Sequence, residues 1–518
     1  MALQQIPENQ SLASARRKAY WRLLPLLFIC YVIAYVDRAN VSFAKLTMQR
    51  DLPHFDNAVI GFGAGIFFIG YFLLEIPGTI IVEKWSARKW ISRIMISWGI
   101  VAGLTSCVHY HVPVITPAAE AMVRGLFWTM SAVLVPLTWM SLGSLTSWAT
   151  NTITSLRTPV DFSISQFYGA RFLLGLAEAG FFPGVIVYLT HWFPKRDRAR
   201  ALAVFMIATP VAQLASPKIC NYLLKIGSTE VIDGVTVVHS TFMGLVGWQW
   251  LYIAWGIPAV VLGFVVLYML PDHPRDAKFL TTDERQSLER ELAAEHAASA
   301  AKHRMSLGEA LAHPKVLLLA LAYLLIVTGN YGIEFFLPSI LQRWYKLKLD
   351  DLTWLVLLPP LLALLSQVFV GWNSDRTKER RLHSALPGII GGIAMAAATF
   401  TQGNLPLTII CFMVAAAGTK AYLPAFWALP SMFLTATAAA GSIGLINSVG
   451  NLGGFTGPYV VGQVEVWTGS FFGGLYYLAG SMVLSSLIIL ALPFEKRDEV
   501  PTAAPELDAA MQETQKST

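Results

Sequence analysis

Long apolar runs recur from Leu23 to Leu492, and they constrain the fold more than any other feature of the chain. A crossing of about 30 Å of hydrocarbon needs about 20 such residues. Lipid offers the backbone no hydrogen-bond partners, so the runs must be helices, and they are too long for barrel strands of about 10 residues. Composition agrees, since 55% of the 518 residues are hydrophobic and only 14% are charged. We read twelve spans: Trp21–Phe43, Ala58–Val82, Trp90–Tyr110, Ser163–Leu189, Arg198–Leu224, Gly247–Leu270, Pro314–Leu341, Leu352–Trp372, His383–Phe400, Pro406–Pro430, Ala438–Val464 and Ser470–Leu492. The expected fold class is an all-α integral membrane protein built as two six-helix bundles.

Basic residues test that count. Arg16, Arg17, Lys18 and Arg22 precede span 1, and Lys84, Arg88, Lys89 and Arg93 follow span 2. Lys195, Arg196, Arg198 and Arg200 follow span 4, and Arg376, Lys378, Arg380 and Arg381 follow span 8. Every second short loop is basic, and the positive-inside bias then places both termini in the cytoplasm. The net charge of +6 is thus a sign of topology and gives no reason to expect nucleic acid as a partner. Residues 1–14 are polar and the first apolar run leads straight into a full span, so no cleavable signal peptide is expected. Cys30, Cys107, Cys220 and Cys411 all fall in apolar spans without a close pair or a nearby histidine at ligand spacing, which reads as packing.

The domain reading follows from the loops. A cytoplasmic tail (1–20) precedes an N-terminal six-helix bundle (21–270), and a cytoplasmic linker (271–313) leads to a C-terminal bundle (314–493) and a tail (494–518). In the linker, Thr281 and Glu284 form a capping box ahead of a short surface helix over Arg285–His303. Residues 111–162 are an insert whose run Ala121–Leu145 is apolar enough to mimic another span. A thirteenth crossing would move Lys195–Arg200 to the wrong side, so the insert is expected to be periplasmic or interfacial, either an amphipathic or re-entrant helix broken at Pro136 or a poorly ordered loop. One basic device occurs twice, as Gly78, Glu83, Arg88 and Lys89 after span 2 and as Gly371, Asp375, Arg376 and Arg380 after span 8. Six-plus-six parallel repeats joined by a long connector are the architecture of the major facilitators, whose halves rock about a central site.

Ionisable groups inside the spans cost about 2.5–3.5 kcal/mol each on insertion scales and so mark a polar pathway. Span 1 carries Asp37 and Arg38, span 4 Arg171 and Glu178, span 7 Glu334, and span 10 Lys420. Arg171 and Glu178 are two helical turns apart on one face, whereas Asp37 and Arg38 point about 100° apart. Six such groups would cost on the order of 15–20 kcal/mol if unpaired, which weighs against mere interhelical struts. Arg38, Arg171 and Lys420 suit a carboxylate, and Asp37, Glu178 and Glu334 suit proton uptake. A Glu334–Lys420 pair is expected in one conformation only. Tyr35, Tyr71, Asn330, Tyr331, Tyr422, Asn447 and Asn451 are candidates for solute hydroxyls, and Glu75 for a structural or gating role.

The segments Tyr35-Val-Asp-Arg-Ala-Asn40, Arg171-Phe-Leu-Leu-Gly-Leu-Ala-Glu-Ala-Gly-Phe-Phe-Pro-Gly184 and Gly450-Asn-Leu-Gly-Gly-Phe-Thr-Gly-Pro458 resemble the anion:cation symporter family of major facilitators. Trp248-Gln-Trp-Leu-Tyr252 and Phe426-Trp-Ala-Leu-Pro430 agree with it. The resemblance covers nearly the whole chain apart from the insert and tail. It implies inward carriage of tartrate, sugar acids or related carboxylates with protons. Asp37 and Glu178 match the coupling acids, Arg171 is similar to the helix-4 arginine, and Tyr35, Arg38 and Tyr71 match positions near the sugar-acid site. Ala64 stands where glutamate-carrying relatives have histidine, and span 7 lacks their arginine, which disfavours that branch. Glu334 with Lys420 most resembles members labelled as tartrate transporters.

The expected protein is therefore a non-enzymatic secondary transporter of the bacterial inner membrane. It is monomeric, has no cofactor, and uses the proton gradient to carry a hydroxy-dicarboxylate or sugar acid. An organic-anion exchanger or exporter is the alternative, and a membrane sensor a remote one. No spaced metal cluster, Ser/His pairing or phosphate loop suggests catalysis.

Overall fold

A computed structural model describes residues 10–138, 150, 154, 161–232, 235–300, 313–433 and 436–492. It is a helical bundle, and ten of its helices are long and apolar enough to cross a membrane. The remaining two crossings of the twelve-span reading are Arg381–Ala398 and the end-to-end pair Ala436–Asn451 and Gly453–Thr468. Several spans run further than their apolar stretch. Span 1 extends from Gln10 to Asp51 with a break at Asn40, and span 7 from Pro314 to Tyr345. Polar caps set several starts, because the first N–H groups of a helix have no partner within it. Asp56 accepts from Val59 N at 2.8 Å, Ser86 from Lys89 N at 3.1 Å and Asn404 from Leu407 N at 3.2 Å.

Span 4 breaks between Phe162–Glu178 and Phe181–Thr190. Gly180 makes the break with φ +83°, a left-handed conformation that costs other residues steric strain. A Cβ there would also sit 3.2 Å from the Trp90 indole nitrogen. The break leaves Glu178 at the last turn of one segment, facing the bundle interior.

Two findings differ from the sequence reading in the loops. The insert forms a helix, Ile115–Thr138, that runs through position 136 without breaking there and packs against span 4 through its earlier turns. Its Phe127 ring meets Phe62 at 5.3 Å and Tyr168 at 5.9 Å. The end of the apolar run, to Leu145, lies outside the described residues, as do linker residues 301–312 and the tail 494–518. The connection between spans 5 and 6 contains an antiparallel hairpin, Thr229–Ile232 with Val235–Val238, which nothing in the helical reading anticipated. Cys107 is exposed at the end of a single 3-10 turn, whereas Cys30, Cys220 and Cys411 are buried.

The linker helix Thr282–Ala300 opens on the capping box, with Glu284 N donating to Thr281 Oγ1 at 3.3 Å and Thr281 N to Glu284 Oε2 at 2.8 Å. The same carboxylate accepts from Lys18 Nζ at 2.9 Å and Ser14 Oγ at 2.7 Å, tying the linker to the start of span 1. Arg16 pairs with Asp197, and Arg198 with Glu295 at 2.9 Å. Burial alone would raise the Glu284 carboxyl, but the Lys18 ammonium, Thr281 N–H and Ser14 hydroxyl outweigh it and hold it down at about 2. A depressed carboxyl contributes stability that is complete above its unfolded value of about 4.3 and is lost as pH falls toward the folded one. Glu284→Gln is therefore expected to speed limited proteolysis of the linker at pH 7. The wild-type linker should stay protected down to about pH 4 and lose protection below it.

The two halves meet where span 2 lies along span 11 and span 5 along span 8. We call the end bearing the basic loops the basic face and the opposite end the insert face. At the insert face the halves are in close contact: a Cβ on Gly61 would lie 2.4 Å from the Pro458 carbonyl oxygen. Asn57 donates to Glu465 at 2.8 Å, and Lys225 pairs with Asp350 at 2.8 Å. Lys45, on the outer extension of span 1, is fully buried with its ammonium 3.8 Å and 4.4 Å from the Phe336 and Phe335 ring centres. The cavity is thus sealed from the insert face. Gly61→Val is expected to wedge spans 2 and 11 apart. In a Cys107→Ser background, a cysteine at Ser42 should then react several-fold faster with an impermeant maleimide applied from the insert face. An unchanged rate would refute the close-packing argument.

Candidate solute site

Span 1 brings Tyr35 and Arg38, one helical turn apart, against Tyr331 and Glu334, one turn apart on span 7. Tyr35 OH donates to Glu334 Oε2 at 3.0 Å, and Arg38 Nη1 donates to Tyr331 OH at 3.3 Å. These two rungs join the halves at mid-bundle. The other arm of the Arg38 fork donates to Glu178, which is only 1% exposed. The guanidinium also lies 5.4 Å from the Phe67 ring centre and 5.2 Å from that of Tyr71, where the negative faces of the rings stabilise a cation.

Arg171 lies on the other side of this pair. Its guanidinium is 5.2 Å from the same Phe67 ring, and its Nε donates to the Gly63 carbonyl at a long 3.4 Å. Asp37 is turned away from Arg38, as the helical geometry requires, and accepts from Asn40 Nδ2 at 3.0 Å. It lies within electrostatic reach of Arg171 and Glu178 and beside Trp98, and Arg171 in turn faces Tyr252. Among the described residues, Arg171 Nη1, Glu178 Oε2 and Tyr252 OH have no hydrogen-bond partner, while the Trp98 indole N–H is directed at the Asp37 carboxylate. Buried polar atoms are rarely left so, and a cluster of them marks a place that handles water, protons or solute. Trp98 was not singled out from sequence, since one tryptophan in an apolar span carries no distinguishing signal.

Two adjoining lobes form the cavity, with empty volumes of about 380 Å3 and 620 Å3. Tyr35, Arg38, Arg171 and Tyr331 line the first, and Asn330, Thr419 and Lys420 the second. Glu334 and Ser42 belong to both. Thr419 donates to Asn330 at 3.2 Å, and Gln213, from span 5, donates to Tyr35 OH at 2.9 Å. Gln213, Ser42, Ser216 and Thr419 are lining residues that sequence reasoning missed. A glutamine mid-way along an apolar span was the available signal.

Other candidates lie elsewhere. Tyr422 is fully buried with its hydroxyl 3.2 Å from Ser485 on span 12, an interhelical contact that does not line the cavity. Asn447 donates to Glu75 at 2.8 Å and Asn451 to the same carboxylate at 3.4 Å, so both serve an inter-half pin between spans 2 and 11 rather than the lobes. The basic devices close within their own halves. Gly78 packs against Trp90 and Gly180, Arg88 N donates to Asp272 at 2.9 Å, and Lys89 N caps on Ser86. In the second copy Gly371 meets Pro424, Asp375 pairs with Arg380 at 2.6 Å, and Arg376 lies 5.5 Å from the Trp372 ring centre. The side chain of Glu83 is outside those described.

A two-fold bundle of membrane helices that closes at one face over a central cavity of paired charges defines a transporter of small molecules. A family model described as "Major Facilitator Superfamily" matches residues 130–458 and, in a second match, 319–511. The chain is 37% identical over 490 residues to an Agrobacterium vitis protein named "Putative tartrate transporter", covering 93% of this chain and 92% of that one. It is 35% identical over 477 residues to a Pseudomonas putida protein named "Putative metabolite transport protein NicT", covering 92% and 94%. The inward-open xylose transporter XylE from E. coli matches the fold with a TM-score of 0.61 at 13% identity, covering 95% of this chain and 99% of that one. The chain belongs to the Major Facilitator Superfamily.

The Arg38 fork makes a direct prediction. Lysine keeps the charge but presents a point donor that cannot serve Glu178 and Tyr331 together. Arg38→Lys should lower solute uptake by about tenfold or more, the cost of one charge-assisted hydrogen bond of about 1.5–3 kcal/mol. Uptake by membrane vesicles at wild-type rate would show that the fork is dispensable.

Proposed function

We propose that the chain is a proton-coupled symporter of a small organic anion, a hydroxy-dicarboxylate or sugar acid, working by alternating access. The observation that carries this reading is the Arg38 guanidinium at the cavity wall, shared between the buried carboxylate of Glu178 in its own half and Tyr331 in the other. Such a pair is the resting arrangement of a coupled site. A proton on Glu178 or Asp37 releases the cation, and a solute carboxylate takes the vacated place. Lys420 supports the reading from the opposite lobe, and Ser42, Gln213, Asn330 and Thr419 supply partners for solute hydroxyls.

In the cycle, Asp37 or Glu178 is protonated while the insert face is open, and the solute settles between Arg38 or Arg171 and Lys420. The halves then rock to the closed-outside state. Solute and proton leave together, and the Arg38–Glu178 pair reforms, which permits the empty carrier to return. The basic face is assigned to the cytoplasm of a bacterium, with both termini inside, on the positive-inside bias. The relative named for tartrate supports the solute class.

Glu178→Gln tests the coupling. The variant should lose uptake driven by an imposed pH gradient in proteoliposomes while retaining solute counterflow, because an amide keeps the shape but cannot cycle a proton. Full gradient-driven uptake in Glu178→Gln would sink the proposal.

A further inference from the structure

We propose that Glu334 and Lys420 form a second proton-and-carboxylate module in the C-terminal half, so that the cavity selects a dicarboxylate held at both ends over a monocarboxylate sugar acid. The proposal rests on the symport reading above and settles which of its two solute classes the site fits.

Lys420 lines the larger lobe, and among the described residues its ammonium has no hydrogen bond or ion pair. The charged group that faces it is Glu334, beyond ion-pair distance. Glu334 is instead held by neutral groups. Tyr35 of span 1 donates to it at 3.0 Å, and Gln213 of span 5 donates to Tyr35 at 2.9 Å. Tyr331, one turn back on span 7, is its other titratable neighbour. The N-terminal half repeats the plan. Arg171 has an unpartnered Nη1 and no ion pair among the described residues, and it faces Asp37, which is itself bounded by Glu178, Trp98 and Asn40. Each half thus holds a cation compensated at a distance, Arg171 by Asp37 and Glu178 and Lys420 by Glu334, and Arg171 lines the first lobe as Lys420 lines the second.

A proton on Glu334 removes the one charge that faces Lys420 among the described residues, and a buried cation left alone is costly. A solute carboxylate in the second lobe restores the balance. While Glu334 stays ionised, its carboxylate borders both lobes and repels a second anionic end, so that end and the proton must arrive together. A monocarboxylate fills one module and leaves the other in its resting state. A dicarboxylate engages both, with one end at Arg171 and one at Lys420, and Ser42, common to both lobes, lies along its middle.

The test uses matched acids of equal carbon number on the purified full chain: tartrate against threonate, and glucarate against gluconate. Calorimetric titration in two buffers of different ionisation enthalpy gives affinity and the protons taken up per solute. For at least one pair, wild type should bind the diacid about tenfold or more tighter than the monoacid, with one additional proton. Lys420→Gln should bring that preference to within about threefold, mainly by weakening the diacid. Glu334→Gln, which mimics the protonated acid, should keep the preference and lose one proton from diacid binding. A monoacid preference in wild type, or equal weakening of both acids by Lys420→Gln, would overturn the module and leave the symport reading standing. Binding of none of the four acids by a chain that melts cooperatively would count against both.

Discussion

The Arg38 guanidinium is the contact on which the arrangement of the centre depends. It belongs to span 1, lies over rings of span 2, donates to the acid of span 4 and reaches a hydroxyl of span 7. Buried in hydrocarbon, a cation must be met on every side, and each of these contacts fixes one neighbouring helix. Three lie in its own half and one in the other. The same group that organises the N-terminal bundle therefore reports on whether the two halves are together, and a change in its charge balance is felt at both places.

Aromatic rings recur where cations are buried without a full set of acceptors. Phe67 lies beside both Arg38 and Arg171, and Phe335 and Phe336 enclose Lys45 near the insert face. A ring face attracts a cation by about 0.5–2 kcal/mol and, unlike a carboxylate, holds no proton and accepts no competing donor. Around a site that must release its cations to a passing anion, such partners stabilise the charge without locking it. Of the carboxylates nearby, Glu178 pairs with Arg38 from behind the wall, Asp37 faces Arg171 without an ion pair among the described residues, and Glu334 accepts from a neutral hydroxyl.

Much of this was legible in one dimension, for a physical reason. Lipid makes apolar length decisive, so the crossings could be read, and a charge inside a span is expensive enough that Asp37, Arg38, Arg171, Glu178, Glu334 and Lys420 stood out individually. What could not be read was which polar residue faces which. Asn447 and Asn451 looked like cavity residues, yet their partner is Glu75, 372 and 376 positions away. Tyr422 turns to Ser485 for the same reason: helical position gives a face, but the neighbour on that face is set by the packing of the whole bundle. The breaks at Asn40, Gly180 and Leu452 were equally silent, because glycine and asparagine also occur inside unbroken membrane helices.

The polar contacts between the halves bear on how the molecule can move. Among the described residues, Tyr35–Glu334, Arg38–Tyr331, Glu75 with Asn447 and Asn451, Asn57–Glu465, and Asp350 with Lys225 and Asn221 cross the divide, amid close packing of small residues at Gly61 and Gly462. Each involves an ionised group, and such a hydrogen bond contributes about 1.5–3 kcal/mol net where it is buried and less where solvent screens it, as at the exposed Asp350. Swinging a two-state equilibrium from 1:99 to 99:1 takes about 5.5 kcal/mol. Tyr35–Glu334 and Arg38–Tyr331 run through residues that line the cavity, so a solute and a proton acting there address part of the polar energy that holds the halves together. The apolar seam, with Phe62 against Phe455 and Tyr459 and Phe68 against Tyr331, is non-directional and can be re-formed along a different line as the halves rock, whereas the polar contacts are specific to this one state.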